Sequence, residues 1–173
     1  GQFSVFFAKG VPFDLEHWFT PAAIDTEPFD VVSKSENKIV LSKDMHLKNY
    51  SGSSFDVHVD RDVRVLDRDE VAAALGIEPL PAVSAVGFES RNVMTNSGKA
   101  PWKQETGLLS VWILGMFNPS PATTVVIPYV SGEDPDLGPV VNDAYFGKVP
   151  EDRLVAGDGA LFFSGDGQYR SKI

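Results

Sequence analysis

Three histidines and a scatter of carboxylates are the residues of this chain most suited to chemistry. His58 lies between Asp56 and Asp60, and residues two apart on a strand point the same way, so the three could gather round a divalent ion. A solvated polar strand face is the default for such a pattern. His17, between Glu16 and Trp18, could act as a general acid or base. Glu89, Glu105, Glu133, Asp134, Asp136 and Asp143 are the stock from which an acid and a base or nucleophile of the glycosidase type could be drawn. Glu105 stands out because it follows Trp102 and precedes an apolar run, which places it near a strand end. The weak catalytic candidates are therefore Glu105, Asp143 and His17.

A different chemistry is carried by aromatic side chains in Pro/Gly-rich loops. Trp18, Trp102, Tyr129 and Tyr145 have Asn118, Asn142, Asp143 and Arg153 nearby in sequence. A flat ring covers the apolar C–H patch of a pyranose, while amides and charged groups bond its hydroxyls. Trp18, Trp102, Asn118, Asn142, Tyr145 and Arg153 form the expected saccharide-binding set. The competing reading is that these rings finish the core.

Other chemistries are excluded or disfavoured. There is no P-loop, dinucleotide fingerprint or Gly-x-Ser-x-Gly elbow. The chain has no cysteine, so disulfides and thiolate metal sites are out. The loop Gly132-Glu133-Asp134-Pro135-Asp136, with Asp158 and Asp166, resembles calcium ligands in type but lacks the spacing of a calcium hand. No metal or cofactor is expected, with calcium the one ion the ligand types would suit. A net charge of −9 argues against nucleic acid or an anionic membrane as partner. No run of 18 apolar residues would span a membrane.

The elements that must position these residues read mainly as strands. Residues 3–7 look like a short buried strand, and 11–30, broken by Pro12, Pro21 and Pro28, a surface loop. Ile39, Leu41, Met45 and Leu47 alternate with polar residues up to the turn Asn49-Tyr50-Ser51-Gly52-Ser53. Phe55, Val57, Val59, Val63 and Val65 then share one face opposite Asp56, His58, Asp60, Asp62 and Arg64. Arg61 interrupts the apolar face and suggests an edge position. Asp67, Glu70 and Gly76 bracket a short helix with a capping box and a glycine stop. Strands follow near 83–95, with Val86 and Phe88 inward, over 108–117 as a buried central strand, and over 123–129. A hairpin about Gly157-Asp158-Gly159 joins Leu154-Val155 to Ala160–Ser164. About nine strands and one short helix predict an all-β fold, an antiparallel β-sandwich in a single domain over 1–173.

Certain stretches resemble a known family. Residues Trp102 to Pro121, Gly138 to Pro150 and Gly165 to Ile173 resemble an uncharacterised bacterial domain of unknown function along essentially the whole chain. Members of that family run roughly twice as long, and both ends of this chain read as cut, so a fragment of a longer protein is expected. The partner would then be a second copy or the missing remainder of the chain. That family is in turn similar to galactose-mutarotase-like (aldose 1-epimerase) supersandwich proteins. Thr95-Asn96-Ser97-Gly98 and Phe117-Asn118 match their pattern, whereas Ile113-Leu114-Gly115-Met116 holds no histidine where the mutarotase base stands. The resemblance implies carbohydrate binding or processing without a carried-over catalytic residue, and it leans toward a periplasmic or extracellular setting. Alternatives are a structural or interaction module and a glycoside hydrolase-like enzyme using loop carboxylates.

Overall fold

A computed structural model describes residues 2–111, 117–132, 137–144, 146–169 and 173. The chain is all-β and antiparallel, with little helix, and divides into two compact units, Gly1–Trp112 and Ile113–Ile173.

The first unit is built on four strands: β1 (Asp30–Lys34), β2 (Lys38–Lys48), β3 (Ser54–Leu66) and β4 (Gly87–Asn96), in that order across the sheet. β2 and β3 pair in unbroken register from Lys38 opposite Arg64 to Lys48 opposite Ser54. Their alternation is the one expected, and it decides which side is dry. Leu47, Phe55 and Val57 are buried together, with Met45, Val59, Met94, Trp102 and Leu109 packed against them. Cover thins along the strand: Val57 is 0% exposed and Val65 54%.

Two basic residues sit on this apolar face. Lys43 is buried, donating Nζ to the Glu27 carbonyl at 2.7 Å and lying 5.5 Å from the Phe29 ring centre, so its charge is accommodated. Arg61 is not at an edge. β3 has a neighbour on each side, and Arg61 faces Leu41 on β2 and Asn92 on β4. Its aliphatic stem can extend the apolar face, although Nε is buried without a hydrogen-bond partner among the described residues.

The opposite face is polar. His58 Nδ1 contacts Asp44 at 2.8 Å and its Nε2 contacts Asp60 at 3.3 Å, while His46 Nδ1 pairs with Asp56 at 2.7 Å. The carboxylates of Asp44 and Asp60 raise the His58 pKa. Arg64 ties Glu70 and Glu89 together. The helix α2 (Arg68–Leu75) has the expected ends: Asp67 accepts from Glu70 N, Glu70 bonds back to Asp67 N, and Gly76 closes it at φ 67.

Residues 2–6 form a 3₁₀ turn, not a strand. Val5, Phe6 and Phe7 are buried in succession, which a strand of alternating faces could not achieve without cover on both sides. The aromatic segment that follows supplies that cover, with Trp18 stacked on Phe6 at 4.6 Å and Phe13 edge-on to Phe7. The rest of that loop holds a single helical turn, α1 (Ala22–Asp25). Val86 and Phe88 do not point inward; they are 90% and 68% exposed, because Val86 precedes β4 and Phe88 lies where the sheet face has lost its cover. Most of the expected strand over 108–117 lies outside the described residues. Leu108–Val111 carry no strand, and Leu109 instead packs against both buried clusters.

In the second unit β5 (Thr124–Pro128), β6 (Leu154–Ala156) and β7 (Ala160–Ser164) pair in the order β5–β7–β6. The β6–β7 hairpin turns at Gly159, φ 74, as its glycines implied. Leu161, on the central strand between Ile127 and Ala156, is buried. The described residues thus hold seven strands, fewer than expected.

Candidate functional site

A shallow, open concavity lies at the dry end of the first sheet. It measures about 330 Å³ and is lined by Ser53, Ser54 and Phe55, by Ala100, Pro101 and Trp102, and by Lys103 and Thr106. Three chain segments converge to make it. The hairpin turn between β2 and β3 is organised by Asn49, whose Oδ1 accepts from Ser53 N at 2.9 Å. The loop after β4 is held by Asn96, which accepts from Gly98 N and donates to the Ala100 carbonyl. A tight turn then follows, closed by Gly107 N donating to the Lys103 carbonyl at 2.8 Å. The buried Asn49 amide donates to the Thr106 carbonyl at 2.9 Å, stitching that turn to the hairpin.

The wall of this cleft is aromatic. Trp102 meets Phe55 edge-to-face at 6.0 Å between ring centres and is half-buried. Ser53, Ser54, Lys103 and Thr106 also line the cleft, the Thr106 hydroxyl donating to the Lys103 carbonyl at 3.3 Å. One apolar face with short hydroxyls and one cation around it can stack on a ring and bond its polar substituents. Among the described residues no carboxylate lines it; Glu105 sits exposed on the Lys103–Gly107 turn.

Among the described residues expected to bind a sugar, Trp102 is the one that lines this cleft. Trp18 is half-buried in the N-terminal aromatic cluster, stacked on Phe6 and edge-on to Phe7. His17 is tied locally to Asp14, Nδ1 to Oδ1 at 2.5 Å, and that contact holds the Asp14 carboxyl below its ordinary value. In the second unit, Asn118 and Asn142 are exposed, the latter 3.5 Å from Ala144 N. Asp143 is half-buried and accepts from Val149 N at 2.7 Å, a loop-closing bond. Tyr129 donates its hydroxyl to the Gly157 carbonyl, locking β5 to the hairpin turn. Tyr145, Glu133, Asp134 and Asp136 lie outside the described residues. The strand trio of His58, Asp56 and Asp60 is split, Asp56 pairing with His46, and no group of three metal-ligating side chains occurs among the described residues. No described helix is long and apolar enough to cross a membrane.

Arg153 is buried and engaged within its own unit. Nη1 and Nη2 donate to the two Asp166 oxygens at 2.7 and 2.6 Å, and the guanidinium lies 4.4 Å from the Tyr169 ring centre. That bidentate pair, with Gln168 N–H also bonding Asp166, holds the Asp166 carboxyl far below its ordinary 3.8. A carboxyl more acidic in the folded than in the unfolded chain adds stability above its unfolded pKa, and this is lost as pH falls through the folded value. Replacing Asp166 by Asn is expected to lower stability at neutral pH and to flatten its dependence on pH below about 4. Urea unfolding of both proteins across an acid series would check this; parallel curves would contradict it.

The whole chain, residues 1–173, matches the model of a family of unknown function, DUF6786. The chain belongs to that family. No curated protein and no solved structure matches it. The membership expected from the three quoted stretches thus holds over the full length of this DUF6786 chain. Its cleft residues Ser53, Ser54, Phe55, Lys103 and Thr106 were not read from sequence as binding residues, Phe55 being placed on the apolar strand face and Ser53 in a turn. The local signals were the turn at 49–53 and the glycine at 107; that they meet depends on a contact 57 residues apart in the chain.

Proposed function

We propose that this DUF6786 chain binds a saccharide without transforming it, using the Trp102 cleft. The observation that carries the reading is the partly exposed Trp102 ring, met edge-on by Phe55 in a cleft that Ser53, Ser54, Lys103 and Thr106 also line. The resemblance of Thr95-Asn96-Ser97-Gly98 and Phe117-Asn118 to the galactose-mutarotase-like sequence pattern suggests the same ligand class. Hydrolysis of the glycosidase type needs two opposed carboxyl groups, and the described lining offers none. Binding therefore has more support than turnover.

Titration calorimetry against a panel of neutral and acidic mono- and oligosaccharides tests the proposal. At least one should bind, and Trp102→Ala should weaken it by about tenfold or more, the effect of 1.4 kcal/mol, while Trp18→Ala leaves affinity intact. Silence across the panel, or equal binding by the Trp102→Ala protein, would remove the reading. A non-catalytic interaction module is the second reading, favoured by the apolar surface left bare at the other end of the sheet, where Val65, Leu75, Ile77, Leu80, Val86 and Phe88 are exposed.

A further inference from the structure

The two edges of the four-stranded sheet are built differently. β1 is short, carries a bulge at Val32 and ends on Lys34, features that discourage strand addition. β4 is ten residues long and pairs with β3 in unbroken register. It contains no proline or lysine, and no strand lies on its outer side among the described residues. A long, regular edge with no strand beside it among the described residues is a template for another strand.

We propose that the outer edge of β4 pairs antiparallel with β4 of a second copy of this chain, about a two-fold axis at Ser90. The charges select this occupant and this register. Glu89 and Arg91 lie two apart, on one face, and both are exposed. Across β3, Glu89 faces Arg64 and Arg91 faces Asp62. A two-fold axis at Ser90 sets Arg91 opposite Glu89 of the second copy, and the reverse. Each cross-strand row then reads Asp62, Arg91, then Glu89 and Arg64 of the second copy, so opposite charges alternate over four strands. Cross-strand pairs of opposite sign favour such a register and like pairs oppose it. On the other face the axis brings the bare Val86 against Met94 of the second copy, and the small Ser90 meets itself. The contact is isologous, as a closed dimer requires.

The chain has no cysteine, so single-cysteine variants report the contact cleanly. Directly opposed strand residues have Cα atoms about 4.5–5.5 Å apart, within disulfide reach. Mild oxidation of Ser90→Cys should give a covalent dimer, whereas Ser33→Cys on β1 should stay uncrosslinked. Sedimentation of the unmodified chain should show a reversible dimer, weakened at least tenfold by Arg91→Glu. A monomer at every concentration, no crosslink through Cys at 90, equal crosslinking at 33, or indifference to Arg91→Glu would each overturn the proposal. A monomer would leave that edge to another chain, or to none.

Discussion

Phe55→Ala is expected to destabilise the first unit by about 3–5 kcal/mol, the range for deleting a buried aromatic ring. Phe55 is buried between Leu47 and Val57, and its ring meets Trp102 edge-to-face. Truncation leaves a cavity beneath the tryptophan, and the surrounding strands are too regularly paired to collapse into it. Because whole domains are stable by only about 5–15 kcal/mol, this one change removes a large share. The same deletion at Phe117, which is 74% exposed, should cost no more than about 0.5 kcal/mol. Urea midpoints followed by tryptophan fluorescence would separate the two. Equal shifts would mean that the burial of Phe55 contributes little.

Gly107→Ala should cost about 2–4 kcal/mol. Two costs combine. The backbone at Gly107 has φ +112, which a side chain strains. An added Cβ would also stand 2.8 Å from Asn49 Nδ2 and 3.2 Å from Phe55 Cζ. The first contact displaces the amide that bonds the Thr106 carbonyl, and a buried donor is left unpaired. The second pushes the ring that backs Trp102. Stability and saccharide affinity should therefore fall together. Gly132→Ala gives the comparison, since it has a positive φ of 150 but no atom within 4 Å of an added Cβ. If both variants unfold at the same urea concentration, the stitching of the turn to the hairpin carries no weight.

Local patterns were legible in the sequence because they encode their own structure. Alternation specified β3, the Asp67–Glu70–Gly76 spacing specified α2, and paired glycines specified the β6–β7 hairpin. Cover was not legible. Val86 and Phe88 look as apolar as Val57, but whether an apolar face is dry depends on what chain returns to it. Arg61 looked like an edge residue because a charge on an apolar stripe is costly unless its stem packs and its head finds room. Residues 2–6 misled because a run of consecutive apolar residues fits a strand or a turn until its neighbours are known. The cleft was half-legible: Trp102 announces itself, but Ser53, Ser54 and Phe55, which line the cleft with it, come from a hairpin far back in the chain. Arg153 shows the reverse, a residue of the right type for ligand contact that is committed to Asp166.

The uneven cover along β3 also sets where the sheet would breathe. Backbone bonds near Val65, bordered by bare side chains, should open often, whereas those near Val57 should open only when the unit melts. The Trp102 cleft sits at the end that opens last. An incoming guest would find its walls already in place and would lose little affinity to ordering them.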